Sequence, residues 1–186
     1  IISDGKFDTE LIKTTDYQKT DEAVDAYLTQ IAAEYAELGN RKVAYSEVEL
    51  ITHDADGNRL VRSAETNLGN LCAEAIRSLV NADIGYVNGG GLRSNISAGD
   101  VTFNDLLNVF PFNNTVVLAQ ISGQDIKDML EMAMMKWPNE NGSFPHLDGI
   151  KFSFNTQISS SVVINELEEF QGVSGEYRVF DIKIFN

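Results

Sequence analysis

The chain is poor in the residues that build covalent or metal staples. Its 186 residues hold one cysteine, two histidines and three prolines. With Cys72 alone, no disulfide closes within the chain. His53 and His146 lie far apart in sequence, so they do not by themselves assemble a histidine-rich metal centre. Basic residues are also scarce: 14 Lys and Arg stand against 28 Asp and Glu, a net charge of -14. A surface of that sign repels a nucleic-acid backbone, which proteins grip through clustered Lys and Arg. Nucleic acid is therefore set aside as a partner, and an anionic small molecule would need local arginines working against the general field. No apolar run approaches the roughly 20 residues of a membrane span. Ile1 opens the chain without the basic and apolar regions of a secretory leader, and we expect a piece cut or processed from a longer protein.

What is present is material for a core. Hydrophobic residues make up 43%, with 10 Phe and 6 Tyr, which argues against disorder. Residues 1–19 hold one strand-like stretch, "GKFDTELIK", and read as the edge of something upstream. Thr20 to Leu38 reads as a helix capped by Thr20, with Val24, Tyr27, Leu28, Ile31, Tyr35 and Leu38 at helical spacing and Gly39 as terminator. "KVAYSEVELI" reads as a strand and "HDADGNR" as a turn. Asn67 to Val80 reads as a helix with a stripe of Leu68, Leu71, Ala75, Ile76 and Leu79. Ile84 to Val87 reads as a buried strand. Thr102 with Asp105, and Ser122 with Asp125, predict capping boxes for helices reaching Val109 and about Lys136. "NTVVLAQI", "IKFSFN" and "EYRVFDIKIF" read as strands. Helices and strands interleave irregularly, which predicts an α+β domain with a mixed sheet and packed helices.

Three stretches carry candidate chemistry. In "YVNGGGLRSNI" a strand runs into Asn88 and three glycines, then Arg93. Glycines permit positive φ and close ligand approach, and their amides can converge on an anion. Arg93 would add a planar fork of donors suited to phosphate. The pattern is neither GxGxxG nor a P-loop, so a flexible corner with a surface arginine stays open beside the anion loop. In "LVRSAETNLGNL" Arg62 precedes a helix start, where unpaired amides favour anions, although Thr66 or Asn67 could simply cap it. If the two loops meet, Arg62 and Arg93 converge on one anion. In "VFPFNNTVV" Phe112 follows Pro111 on a stiffened loop, a platform for a planar base, whereas Phe110 reads as core.

Together "RSAETNLGNL" and "NGGGLRSNISAGDVTFNDLLNVFPFNNT" resemble the C-terminal domain of the 5′-nucleotidase family, which includes UDP-sugar hydrolases and 2′,3′-cyclic-nucleotide phosphodiesterase/3′-nucleotidases. The resemblance covers residues 42–186, and residues 20–41 are similar to the family's linker helix. It implies an upstream metallophosphoesterase domain with two divalent ions of Zn or Mn type that performs hydrolysis. No cofactor is expected in this chain. The resemblance further implies that Arg62 and Arg93 contact the phosphate or ribose, that Asn88, Gly90 and Gly91 wall the base, and that Phe112 is one of two plates sandwiching it. Arg59 is offset by one from a further family arginine and is a weak candidate. The second plate and a glycine-rich loop belong beyond the last strand, after Asn186. The implied location is extracellular, periplasmic or cell-wall associated. A non-catalytic surface module that keeps the fold is the alternative.

Overall fold

A computed structural model describes residues 2–3, 6–7, 9–16 and 19–185. The chain divides into two compact units, Ile1–Asn40 and Arg41–Asn186. In the first, β1 (Ile2–Ser3) pairs antiparallel with β2 (Lys6–Phe7), and a 3-10 turn spans Thr14–Asp16. The strand expected over "GKFDTELIK" is thus confined to a short pair, and Gly5 and Asp8 of that stretch lie outside the described residues. Helix α1 (Glu22–Gly39) follows. Its cap is Asp21, not Thr20: the carboxylate accepts from the amides of Ala23 and Val24. That position also places a negative charge at the positive end of the helix dipole.

The second unit begins with β3 (Lys42–Ser46), paired antiparallel with β5 (Gly99–Thr102). Between them lie helix α2 (Asn67–Val80), β4 (Gly85–Asn88) and a 3-10 turn of Gly89–Gly91. Helices α3 (Phe103–Val109) and α4 (Gly123–Ala133) both start at complete capping boxes, built by Thr102 with Asp105 and Ser122 with Asp125. Then come β6 (Pro145–Asp148), β7 (Ile150–Phe154), β8 (Val162–Ile164), β9 (Phe170–Val173) and β10 (Val179–Ile184). The class is α+β. Among the described residues every strand pairing is antiparallel and two-stranded: β4 with β6, β7 with β10 and β8 with β9 complete the set.

Several readings shift. "NTVVLAQI" forms no strand: no described strand lies beside it, and Val117 and Leu118 stand 81% and 65% exposed, so its alternation has no sheet to bury it. In α2 the buried face is Leu68, Gly69, Cys72 and Ala73, while Leu71 and Leu79 face solvent. Small residues let the helix approach the β4–β6 pair closely, and a hydrophobicity count passes over them. In β10 a register shift between Phe180 and Lys183, with Asp181 at φ 51°, breaks the expected alternation. Val179 is buried while Phe180 is exposed. Phe110, expected in the core, is the C-cap of α3 and is 40% exposed, and Val109 takes the buried place.

Two apolar clusters hold this unit. One gathers Val61, Leu68, Cys72, Leu92, Ile96, Val101 and Val109. The other gathers Ile126, Leu130, Ile150 and Val179, with Phe152 and Phe154 packed against it. A fully buried Leu or Val contributes about 1.5–3 kcal/mol. The first cluster matters most for function, because Val61 and Leu92 are the immediate neighbours of Arg62 and Arg93.

Candidate functional site

The first cluster fixes three surface loops. Arg62 ends a 3-10 turn, Leu60–Arg62, whose middle residue Val61 is buried. The Val61 amide donates to Thr52 O at 3.0 Å and the Arg62 amide to Arg59 O at 2.9 Å. The glycine turn sits directly against this one: a Cβ on Gly89 would stand 1.9 Å from Val61 O. After the glycines, the Arg93 amide donates to the carbonyl of buried Val109 at 3.1 Å, which joins the glycine segment to the end of α3. Three residues on, Phe112 is 55% exposed, and the Arg93 guanidinium lies 5.6 Å from its ring centroid.

The sequence-expected side chains are therefore brought together. Arg93 lies over Phe112 and also reaches Gly90 O at 3.4 Å. Arg62 is near enough to Arg93 that the two charges repel. Its guanidinium is held below the ordinary arginine range by burial first, then by Arg59 and Arg93, with Glu140 opposing. An Arg62 guanidinium that feels the charge of Arg93 in an acidic protein belongs to a local positive focus, the arrangement an anionic ligand requires. Arg59 is tied up differently: it forms a salt bridge with Glu140 at 2.5 Å.

The glycine turn works otherwise than expected. None of Gly89, Gly90 and Gly91 has positive φ. Nor do the amides of Gly89 and Gly90 face open space: Gly89 N–H donates to Phe144 O and Gly90 N–H to Gly142 O, each at 2.8 Å. Glycine is required here for close backbone approach, since a Cβ on Gly90 would stand 2.9 Å from Gly142 O. Asn88 joins the same seam, donating from Nδ2 to Gly142 O at 2.9 Å. The start of α2 is likewise committed internally: Thr66 caps Gly69 N–H at 3.1 Å, and Asn67 Oδ1 accepts from the Leu68 and Ile51 amides. With these amides taken, the arginine side chains are the donors that an anion would meet here.

Sequence reasoning missed the segment that buttresses the site. Asn141 N–H donates to Arg62 O at 2.8 Å, and Gly142 and Phe144 hold the glycines. Asn95 was missed too: its Oδ1 accepts from Thr52 N and Oγ1 and from His53 N, binding the two arginine segments together. The turn signal "ENGS" was visible for the former, but nothing local to Asn95 announced its role. Among the described residues no group of three or more His, Cys, Asp or Glu could hold a metal ion, and no helix is long and apolar enough to cross a membrane.

Comparison with known proteins identifies the domain that carries these loops. Residues 42–176 match the family model described as 5′-nucleotidase, C-terminal domain. The chain is 33% identical over 159 residues to the trifunctional nucleotide phosphoesterase protein YfkN of Bacillus subtilis, covering 83% of this chain and 10% of that protein. It is 33% identical over 157 residues to a 5′-nucleotidase of Vibrio cholerae, covering 84% of this chain and 28% of the relative. Among solved structures, a 5′-nucleotidase precursor from Thermus thermophilus superposes with a TM-score of 0.65 at 25% identity, over 86% of this chain and 32% of that one. The chain spans a third or less of the length of each of these relatives. It belongs to the 5′-nucleotidase family, and its residues 42–176 are that family's C-terminal domain.

Proposed function

We propose that this chain is the nucleotide-holding part of a metal-dependent 5′-nucleotidase-type phosphohydrolase, with Arg62 and Arg93 on the phosphate or ribose, Phe112 stacked on the base, and Asn88, Gly90 and Gly91 forming the wall beside it. The observation that carries this reading is the Arg93 guanidinium 5.6 Å from the centre of the exposed Phe112 ring, with Arg62 close enough to share its field. A cation resting on an exposed aromatic ring supplies the two groups that the two ends of a nucleotide need, once the guanidinium turns to the phosphate. Relatives named as 5′-nucleotidase and nucleotide phosphoesterase support the substrate class.

Two divalent ions held by an upstream metallophosphoesterase domain would supply the activated water and stabilise charge on the phosphoryl group. This chain's residues do the positioning. Arg62 and Arg93 orient the phosphate side, and the Asn88–Gly142 seam keeps the wall rigid. Such orientation contributes several kcal/mol to lowering a barrier. The whole protein would work outside the cytoplasm, in the periplasm, at the cell wall or in the medium.

Titration with AMP at low salt tests the reading. A charge-assisted hydrogen bond is worth about 1.5–3 kcal/mol, discounted at an exposed arginine by solvent screening. Arg93→Ala should therefore weaken binding by about tenfold, and equal affinity in both proteins removes Arg93 from the site. The chain alone should hydrolyse no AMP with Mn or Zn added; robust metal-dependent phosphatase activity would refute the division of labour.

A further inference from the structure

One atom joins the two arginine-bearing turns: the carbonyl oxygen of Val61. On one side it lies against Gly89, where no Cβ would fit. On the other it sits 2.8 Å from His146 Nε2. A carbonyl only accepts, so Nε2 carries the proton and the neutral ring has a bare Nδ1. That Nδ1 is buried and has no hydrogen-bond partner. It faces helix α2 at Gly69, where a Cβ would stand 2.0 Å away. His146 itself has 0% exposure, with the Phe144 ring 5.6 Å away at an edge-on angle.

An apolar side chain would fill this slot without stranding a nitrogen. A buried polar atom left unpaired is unfavourable. The imidazole is held against that penalty, and its one hydrogen bond goes to the residue next to Arg62. Strand β6 carries His146, pairs it with Val87 of β4, and β4 runs into the glycine turn. His146 is thus built into the strand pair on the Arg93 side and reaches across to the Arg62 side.

We propose that His146 is a positioning residue of the nucleotide site: through Val61 O it holds the Arg62 turn against the glycine turn and so sets the spacing of Arg62 and Arg93. The inference rests on the nucleotide reading above. His146 touches no ligand in this picture, because the ring is enclosed by Gly69, Val61 and Phe144.

The test compares wild type, H146Q, H146L, R62A and H146L combined with R62A. Circular dichroism first establishes that each is folded. Two readouts follow: hydrogen exchange of the Val61, Arg62 and Ser63 amides, and AMP affinity at low salt. H146L leaves the Val61 carbonyl unpaired and should speed exchange at those three amides by about tenfold. H146Q, whose side-chain amide can donate to the same carbonyl, should restore most of the protection. H146L should weaken AMP binding by about fivefold with Arg62 present and leave it unchanged in R62A, because coupled residues are non-additive. Equal weakening with and without Arg62, or unchanged exchange in H146L, overturns the proposal. If wild type binds no AMP, the nucleotide reading fails on its own, and exchange alone decides whether His146 holds the turn. Should H146L not fold, H146N takes its place: its amide is too short to reach Val61 O and should behave as H146L was expected to.

Discussion

Removing the Phe112 ring separates base recognition from phosphate recognition. Stacking of a base on an aromatic side chain is worth about 1–3 kcal/mol. In the free chain the ring is 55% exposed, so a face is available, but the Arg93 guanidinium already lies 5.6 Å from it. A cation–π contact at an exposed site is worth about 0.5–1 kcal/mol. If Arg93 swings to the phosphate, that contact is given up and the net gain from stacking falls to about 0.5–2 kcal/mol. Phe112→Ala should then weaken AMP by about two- to thirtyfold. Ribose 5-phosphate carries the same anion without a base, so its affinity should not fall in Phe112→Ala, rising by about two- to fivefold because the ring no longer competes for Arg93, and should be reduced in Arg93→Ala. Phe112→Trp should retain AMP binding. The assay is calorimetric or NMR titration at about 10 mM salt, where the screening length is about 30 Å. Equal loss of AMP and ribose 5-phosphate in Phe112→Ala would show that the ring acts only by shaping the loop, and unchanged AMP binding would remove Phe112 as the plate.

Other outcomes follow from the same packing. Burial pushes the Cys72 thiol up to about 12, so at about pH 8 the native protein should resist alkylation and label only when denatured, as read by mass spectrometry. Glu131 is 0% exposed and accepts from Arg178 N, Val179 N and Arg178 Nε; Glu131→Ala strands the buried Arg178 and should cost about 3–5 kcal/mol in urea unfolding. Burial pushes His146 below the ordinary histidine range, opposed by its bond to Val61 O and the field of Glu65. The native state then binds fewer protons than the unfolded chain below about pH 6.5, so His146 favours folding above that pH and the contribution is lost as pH falls toward the lowered native value. The urea midpoint of wild type relative to H146Q should therefore drop between about pH 7 and pH 5, and a rise would mean that a charged ring has found an acceptor.

Capping chemistry was the most legible part of the fold. Thr102 with Asp105 and Ser122 with Asp125 form complete boxes as the spacing predicts, and α2 spans Asn67–Val80 as read. These features depend on neighbours within a turn. Alternation was less secure, because it states what a segment would do beside a sheet and not whether one is present. "NTVVLAQI" has the pattern and no described partner, while Pro145–Asp148 lacks the pattern and is a strand because β4 lies next to it.

The candidate site divides along the same line. Side chains that project from it, Arg62, Arg93 and Phe112, were legible because their residue types announce their chemistry, and the structure draws them together. What holds them was hidden. Gly89 is needed for a contact with Val61, 28 residues away in sequence by the difference of the two numbers. Gly90 is needed for Gly142, and Asn95 serves backbone atoms of Thr52 and His53. Each such residue is defined by a distant partner, so no local reading finds it. His146 is the extreme case. In sequence it is one of two scattered histidines, too few for a metal centre; in the fold its single hydrogen bond lies on the seam between the two arginine turns. The glycine run therefore owes its identity less to the ligand than to the carbonyls packed against it, and a substitution there should disturb binding by moving Arg62 relative to Arg93. Gly90→Ala makes this concrete. Its Cβ would meet Gly142 O at 2.9 Å and Gly142 Cα at 3.0 Å, so backbone must give way, at roughly 1–3 kcal/mol. AMP should weaken more than ribose 5-phosphate in that variant, because the proposed site sets Gly90 beside the base; equal weakening of the two would show that Gly90 acts only through the spacing of Arg62 and Arg93.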